Sequence, residues 1–317
     1  MHEFEYIVCH GSGNRFVLID CVAQAALSEA VAPAALAQEL CRSHGGLDGL
    51  LLLVRVGGEF GMRMFNPDGS AAEMCGNGIR CVARLAAARH GAGQRFVLWS
   101  GGRRYLLARE EPLPGGIPAF GVRIPIGFAS DDFVRCGDEP FVDSPIPDLD
   151  PGLRFSFLHL GNPHLVCRTE WSDIDGLERL GRRAAELPGV FPHGINVSFY
   201  RPCGAQRLFV ATCERGAGIT LSCGTAMTAC STAACIGGLC RFGVPIEVFN
   251  RGGMVRCLCT RGSEGTATSL CGNATFEGEG RFVLDRDGRA VLLPESWRPR
   301  REETEAYAAF LEHLKKL

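Results

Sequence analysis

The sequence predicts a mixed α/β (α+β) protein made of two related domains. Length and composition supply the first reason: 317 residues, 46% hydrophobic and 21% charged, describe a globular chain too long for one small core. The second is a local grammar that occurs twice. Met62, Met64 and Asn66 lie on one face of a strand that runs into the turn Asn66-Pro67-Asp68-Gly69, after which Cys75-Gly76-Asn77 opens a helix. In the second half Leu208, Val210 and Thr212 alternate up to Glu214-Arg215-Gly216-Ala217-Gly218, and Cys223-Gly224-Thr225 opens another helix. The third is the register. A shift of 148 residues lays Cys75 on Cys223, Gly76 on Gly224 and Asn66 on Glu214, which points to an internal duplication.

In chain order, the N-terminal alternation breaks at His10-Gly11-Ser12-Gly13-Asn14 and resumes through Phe16, Leu18 and Asp20, which predicts a β-hairpin. A helix is expected from Ser28 to Cys41, then a buried strand over Leu50 to Val54. Ile79, Val82, Ala83, Ala86 and Ala87 recur at helical spacing until His90 and Gly91, so the first Cys-Gly helix ends at a glycine cap. Phe96 to Trp99, Tyr105 to Ala108 and Phe120 to Ile124 read as strands. The Pro- and Asp-rich stretch from Asp138 to Pro151 reads as a loop or linker. The helix after Cys223 carries Ala226, Ala229, Cys230, Ala233 and Ala234 on one face and stops at Gly237-Gly238. Tyr307, Phe310, Leu311 and Leu314 predict a C-terminal helix packed on the body of the protein.

Charge and cysteine content narrow the function. With 33 basic and 35 acidic residues the net charge is −2, which gives no basic field for nucleic acid. Lys315 and Lys316 are the only lysines; the body of the chain therefore lacks the residue that pyridoxal phosphate enzymes and P-loop proteins need. The most apolar run, Leu50 to Val54, is far too short for a membrane span, and the first residues show no signal-peptide pattern. A reducing cytoplasm and free thiols are expected for the 16 cysteines. None are in C-x-x-C spacing, and Cys257 and Cys259 share one face of a strand, so no metal site is expected.

A cysteine at a helix N-terminus faces unpaired N–H groups and the positive end of the helix dipole, which favour its thiolate. Two such cysteines, Cys75 and Cys223, facing each other from related halves, would hold a tetrahedral carbon between a thiolate and a thiol. Inversion of a stereocentre needs that arrangement, since a proton leaves one face and another arrives on the opposite face. The carbanion must be stabilised without a Schiff-base lysine. Backbone N–H groups at Gly76, Asn77, Gly224 and Thr225 are placed to bind the substrate carboxylate as its charge grows.

The segments Asn66-Pro67-Asp68-Gly69-Ser70, Met74-Cys75-Gly76-Asn77-Gly78-Ile79-Arg80-Cys81, Glu214-Arg215-Gly216-Ala217-Gly218 and Cys223-Gly224-Thr225 resemble the diaminopimelate epimerase family. So do His10 to Asn14 with Phe16, Gly161-Asn162-Pro163-His164, and Asn196-Val197 ahead of Phe199, all in the family's order from Phe4 to Gly280. The resemblance implies two pseudo-symmetric domains, each a barrel-like sheet around a central helix, formed by residues 1–124 with about 275–317 and by 125–274, with the active site in the cleft between them. It implies Cys75 and Cys223 as the acid-base pair, His164 and Glu214 as their support, and Asn14, Asn66, Asn162, Asn196, Glu214 and Arg215 as substrate-binding residues. No cofactor or metal is implied. The partner would be a small amino acid, and a homodimer is compatible with the family.

Four departures from the family pattern bear on the substrate. Arg15 stands beside Asn14 where aspartate is common, Ile219 where glutamate is usual, Ala226-Met227-Thr228 where Gly-Ala-Cys is common, and Cys271-Gly272-Asn273 where Thr-Gly-Pro is usual. The expected reaction is conversion of LL-2,6-diaminoheptanedioate to its meso isomer, in the synthesis of lysine and cell wall. The departures also admit a racemase of histidine, proline or hydroxyproline with the same mechanism. A different class, a catalytically silent thiol-rich binding or redox-sensing protein, is the other reading. A nucleophilic hydrolase is disfavoured, because no serine elbow appears and neither cysteine has a histidine close in sequence.

Overall fold

The computed structural model describes residues 3–135, 139–170, 174–263 and 265–314. Among them are six helices: α1 (Ala25–Ala30), α2 (Pro33–His44), α3 (Gly76–Arg89), α4 (Ile174–Ala185), α5 (Gly224–Ile236) and α6 (Arg301–Leu314). None of these is long and apolar enough to cross a membrane. The chain forms two compact units, Met1–Val122 with Cys271–Leu317, and Arg123–Leu270.

In the first unit the strand Glu3–Gly11 pairs antiparallel with Asn14–Asp20 around a tight turn, in which Ser12 and Gly13 have φ of 52° and 81°. Glu3–Gly11 is also flanked by Thr275–Leu284, which in turn pairs with Ala290–Pro299. From Asn14–Asp20 the sheet continues parallel to Gly49–Val56, antiparallel to Glu59–Phe65, parallel to Arg95–Ser100 and antiparallel to Arg103–Leu113. The run Leu50 to Leu53 is unbroken because both faces are covered. Leu50 and Leu52 join the core beneath α2, while Leu51 meets α3 at Gly78.

The second unit repeats this order of pairings. Asp150–His159 is antiparallel to Pro163–Arg168, which is parallel to Asn196–Gly204. That strand is antiparallel to Arg207–Glu214, which is parallel to Ile246–Asn250, and Ile246–Asn250 is antiparallel to Gly253–Gly262. The same shift of 148 residues that aligns the cysteines carries Glu59 onto Arg207 at the starts of equivalent strands.

In each unit one helix is enclosed by its sheet. α3 buries 11 of its 14 residues and touches strands from Glu3–Gly11 across to Arg103–Leu113; α5 buries 12 of 13. Small residues permit this, and the polar ones satisfy themselves: Thr228, Ser231 and Thr232 of α5 donate to the carbonyls four residues earlier at 2.8, 2.7 and 2.9 Å. α3 ends as expected, with Gly91 at φ 65° and the Ala92 N–H bonded back to Ala86 O. α6 lies on Thr275–Leu284 and buries Tyr307 and Phe310.

Two expectations are corrected. The helix expected over Ser28 to Cys41 is two helices, because Pro33 occupies the first turn of α2 and holds Ala32 extended, at φ −67° and ψ 127°. Of the stretch expected to be a linker, Asp138 lies outside the described residues, and Ser144–Ile146 is a strand paired with Asp150–His159. Its Ile146, together with Leu149, is buried in the second unit's outer core under α4, so this stretch is part of the fold.

Candidate active site

Cys75 is the N-cap of α3 and Cys223 the N-cap of α5, both extended, at φ −135° and −120°. Equivalent strands followed by equivalent turns bring each cysteine to the same end of its central helix. Cys75 is half-buried. Its Sγ accepts from the Gly78 N–H at 3.4 Å and donates to Asn14 Oδ1 at 3.5 Å. Asn77, buried in the first turn beside Gly76, donates to the same Asn14 oxygen at 3.5 Å. Asn66 is the first residue of its turn; its amide donates to Ser70 Oγ at 2.9 Å, and it makes no hydrogen bond to the Asn14, Cys75 and Asn77 group.

In the second unit Thr225 is the node. Its hydroxyl lies 3.4 Å from Cys223 Sγ, 2.9 Å from His164 Nε2 and 3.4 Å from Asn162 Nδ2, and Asn162 Oδ1 is 3.1 Å from the same imidazole nitrogen. His164 is fully buried; desolvation, reinforced by the charges of His159 and Arg215, takes its pKa down to about 3, so the ring is neutral. Asn196, also buried, accepts the Arg215 N–H at 3.0 Å and thereby fixes the turn that follows Glu214. The exposed Arg215 guanidinium donates to His193 O at 3.0 Å. Glu214 Oε1 accepts from Thr220 Oγ1 at 2.6 Å.

The expectation that a helix N-terminus lowers both thiols needs correction at Cys223. Burial pushes this thiol well above its ordinary range, and the Glu214 charge pushes it further; hydrogen bonds from Thr225 and the Ala226 N–H offset only part of this. In this half, then, the helix end is outweighed by desolvation and a neighbouring carboxylate.

Two of the departures point away from these groups. Arg15 follows Asn14 on a strand and so takes the opposite face, where it forms a two-pronged pair with Glu277 at 2.8 and 2.7 Å. Ile219 packs on the outer core of the second unit. Among the described residues no group of three or more His, Cys, Asp or Glu side chains is arranged to hold a metal ion. Sequence reasoning missed Ser12, Arg80 and Asn273, which lie directly behind the first helix turn. The available signal was Arg80 itself, a cation on a helix that the second half builds from small neutral residues.

The diaminopimelate epimerase family profile matches residues 6–109 and 156–277, which include all of these positions. The chain belongs to the diaminopimelate epimerase family. Diaminopimelate epimerases from Clostridium acetobutylicum and Ligilactobacillus salivarius are 33% and 36% identical to it, over 99% and 86% of this chain and 96% and 87% of theirs. As a member of this family the protein is an isomerase of the epimerase type. Solved structures share the fold at low identity. A phenazine biosynthesis protein of the PhzF family from Bacillus anthracis has TM-score 0.64 and 15% identity over 89% of this chain and all of its own. A hydroxyproline epimerase from Agrobacterium vitis with bound trans-4-hydroxy-L-proline has TM-score 0.60 and 16% identity over 96% of this chain and 98% of its own.

Proposed function

We propose that the protein inverts an amino-acid α-carbon without a cofactor, using Cys75 and Cys223 as the two bases, and that its reaction converts LL-2,6-diaminoheptanedioate and the meso isomer into one another. The carrying observation is that each cysteine caps the enclosed helix of its own unit at topologically equivalent positions. In this reading the substrate α-carbon is flanked by the two thiols. One sulfur, as thiolate, takes the α-proton. The electron pair left on carbon spreads into the carboxylate, which the N–H groups at Gly76, Asn77, Gly224 and Thr225 stabilise. The other sulfur, as thiol, returns its proton to the opposite face, so nothing is oxidised or reduced and the two sulfurs exchange charge. Asn14, Asn66, Asn162, Asn196, Glu214 and Arg215 hold the rest of the molecule, with the Arg215 guanidinium suited to a distal carboxylate. The long alignments to proteins named diaminopimelate epimerase support this substrate over proline or hydroxyproline.

The test is incubation in deuterium oxide with LL- and meso-diaminopimelate, histidine, proline and trans-4-hydroxyproline, with α-deuteration read by mass spectrometry. Deuterium is expected in both diaminopimelate isomers. Cys75→Ala and Cys223→Ala should each slow net inversion by at least about 10²-fold. Deuterium in a cyclic imino acid alone would move the substrate, and none in any acid would remove the reading.

A further inference from the structure

Arg80, on α3, is 0% exposed, and every one of its acceptors is neutral. Its Nη1 donates to Gly76 O at 2.8 Å, its Nε to Asn273 O at 3.1 Å, and its Nη2 to Asn77 Oδ1 at 3.0 Å and Ser12 Oγ at 3.2 Å. Among the described residues no carboxylate pairs with it. One turn on, Arg84 has the ordinary arrangement, a bidentate pair with Glu303. A buried guanidinium with no counter-ion is costly unless an anion forms nearby. The Cys75 thiol, whose own residue precedes Gly76, is one of the groups whose charge Arg80 senses.

The duplicated half supplies the comparison. The register that pairs Gly76 with Gly224 pairs Arg80 with Thr228. Thr228 Oγ1 donates to Gly224 O at 2.8 Å, the same bond from a neutral group. The same register sets neutral Asn66 against Glu214, whose charge acts on Cys223. Each half keeps the hydrogen bond behind its first helix turn, and only the first adds a positive charge.

Asn273, buried and in place of the family's usual proline, locks this arrangement. Its Oδ1 accepts the Ser12 N–H at 2.7 Å, and its Nδ2 lies 3.2 Å from His10 O, 3.2 Å from His10 Nδ1 and 2.9 Å from Thr275 Oγ1. Gly11 completes the contact. A Cβ there would fall 2.8 Å from Asn77 O and 2.9 Å from Arg80 Nη2.

We propose that Arg80 is a positioning residue that sets the charge of the first thiol: the unpaired guanidinium behind the first turn of α3 holds Cys75 as the thiolate in the resting enzyme, while the second half, with Thr228 in that place and Glu214 beside its cysteine, keeps Cys223 as the thiol. Cys75 is then the base that meets the incoming substrate first. The Gly78 N–H, which already donates to Cys75 Sγ at 3.4 Å, is a second group that favours the anion. The other titratable groups around Arg80 leave its charge uncancelled. Burial pushes the Tyr307 hydroxyl on α6 up and holds His10 neutral at a pKa of about 4, while Cys81 on α3 and Cys271 on Gly265–Asn273 are buried cysteines. Glu277 and Glu303 are engaged by Arg15, Arg84 and Arg300.

The inference rests on Cys75 being one of the two acting thiols, but its test needs no substrate. Alkylation of the free enzyme by iodoacetamide, resolved by peptide mass spectrometry across a pH series, reads the thiolate at each cysteine. Cys75 should react at neutral pH and Cys223 only at high pH. Arg80→Gln should move the Cys75 midpoint up by about one pH unit or more, about a tenfold slower reaction at pH 7, and Arg80→Lys should restore most of it. Ser12→Asp keeps Arg80 and its scaffold but gives the guanidinium a counter-ion, and Asp tolerates the positive φ there; it should shift the midpoint in the same direction. Folded Arg80→Gln and Ser12→Asp proteins whose Cys75 midpoint is unmoved would overturn the proposal. Deuterium exchange that fails while the midpoint shifts as stated would overturn the proposed reaction and leave the role of Arg80 standing.

Discussion

Thr225 shows how one hydroxyl can serve both stability and chemistry. It bonds to a buried imidazole that, among the described residues, has no other side-chain partner than Asn162, and it reaches the Cys223 sulfur. Thr225→Val keeps the shape and strips the polar group, leaving His164 Nε2 with one weaker contact; its Nδ1 has no partner among the described residues. The expected loss is about 1–3 kcal/mol in urea denaturation, with Thr225→Ser recovering most of it. Glu214 can be tested by sign alone. Its charge raises the Cys223 thiol, so Glu214→Gln should bring Cys223 alkylation to lower pH and leave Cys75 where it was. An unchanged Cys223 midpoint would show that burial acts by itself.

At the scale of the element, the turn His10 to Asn14 and the first turn of α3 approach so closely that residue 11 has no room for a methyl group. Gly11→Ala would press on the Asn77 backbone carbonyl, which has no rotamer by which to retreat. A loss of about 1–3 kcal/mol is expected, together with a fall in activity, because Asn14, Cys75 and Asn77 are held by that approach. Both the hairpin and the helices after each Cys-Gly were legible in the sequence, since alternation, turn residues and apolar periodicity agree there. The α1–α2 break was signalled by Pro33, but the apolar spacing across it resembled one helix. The strand Ser144–Ile146 was hidden by the prolines flanking Ile146, which are tolerated because the strand is only three residues long and pairs with Asp150–His159. Arg80 was not legible as a site residue because a charged residue on a helix is by default a solvent-facing one. Only the enclosure of α3 on all sides, a tertiary fact, makes it a buried cation. Asn162 and His164 meet Thr225 because α5 packs on the strand Pro163–Arg168, far from it in sequence, and without the family's motif order nothing local to any one of them would have linked them.

For the whole molecule, two buried histidines, one in each unit, tie stability to acid. His10 and His164 are neutral in the fold, with pKa values of about 4 and about 3 against 6.5 for the free side chain. Their contribution is intact above about pH 6.5 and is lost as pH falls toward those folded values, because the unfolded chain binds protons the folded one refuses. Denaturation midpoints measured from pH 7 to about pH 4 should drop steadily, with His164→Asn flattening the slope; a flat wild-type profile would contradict this. The thiols give a second global check. Of the described cysteines Cys203 is exposed and Cys75 half-buried, and the rest are buried, so brief labelling of native protein should reach these two ahead of the others.

The repeated order of strand pairings has a further meaning for how such a molecule can come to be. Two identical copies of one half, associating as separate chains, would be bound to place the same side chain behind both cysteines, since a single gene writes both. Joining the copies end to end frees each to drift alone, and arginine at one helix with threonine at its twin is a difference that two identical chains could not carry.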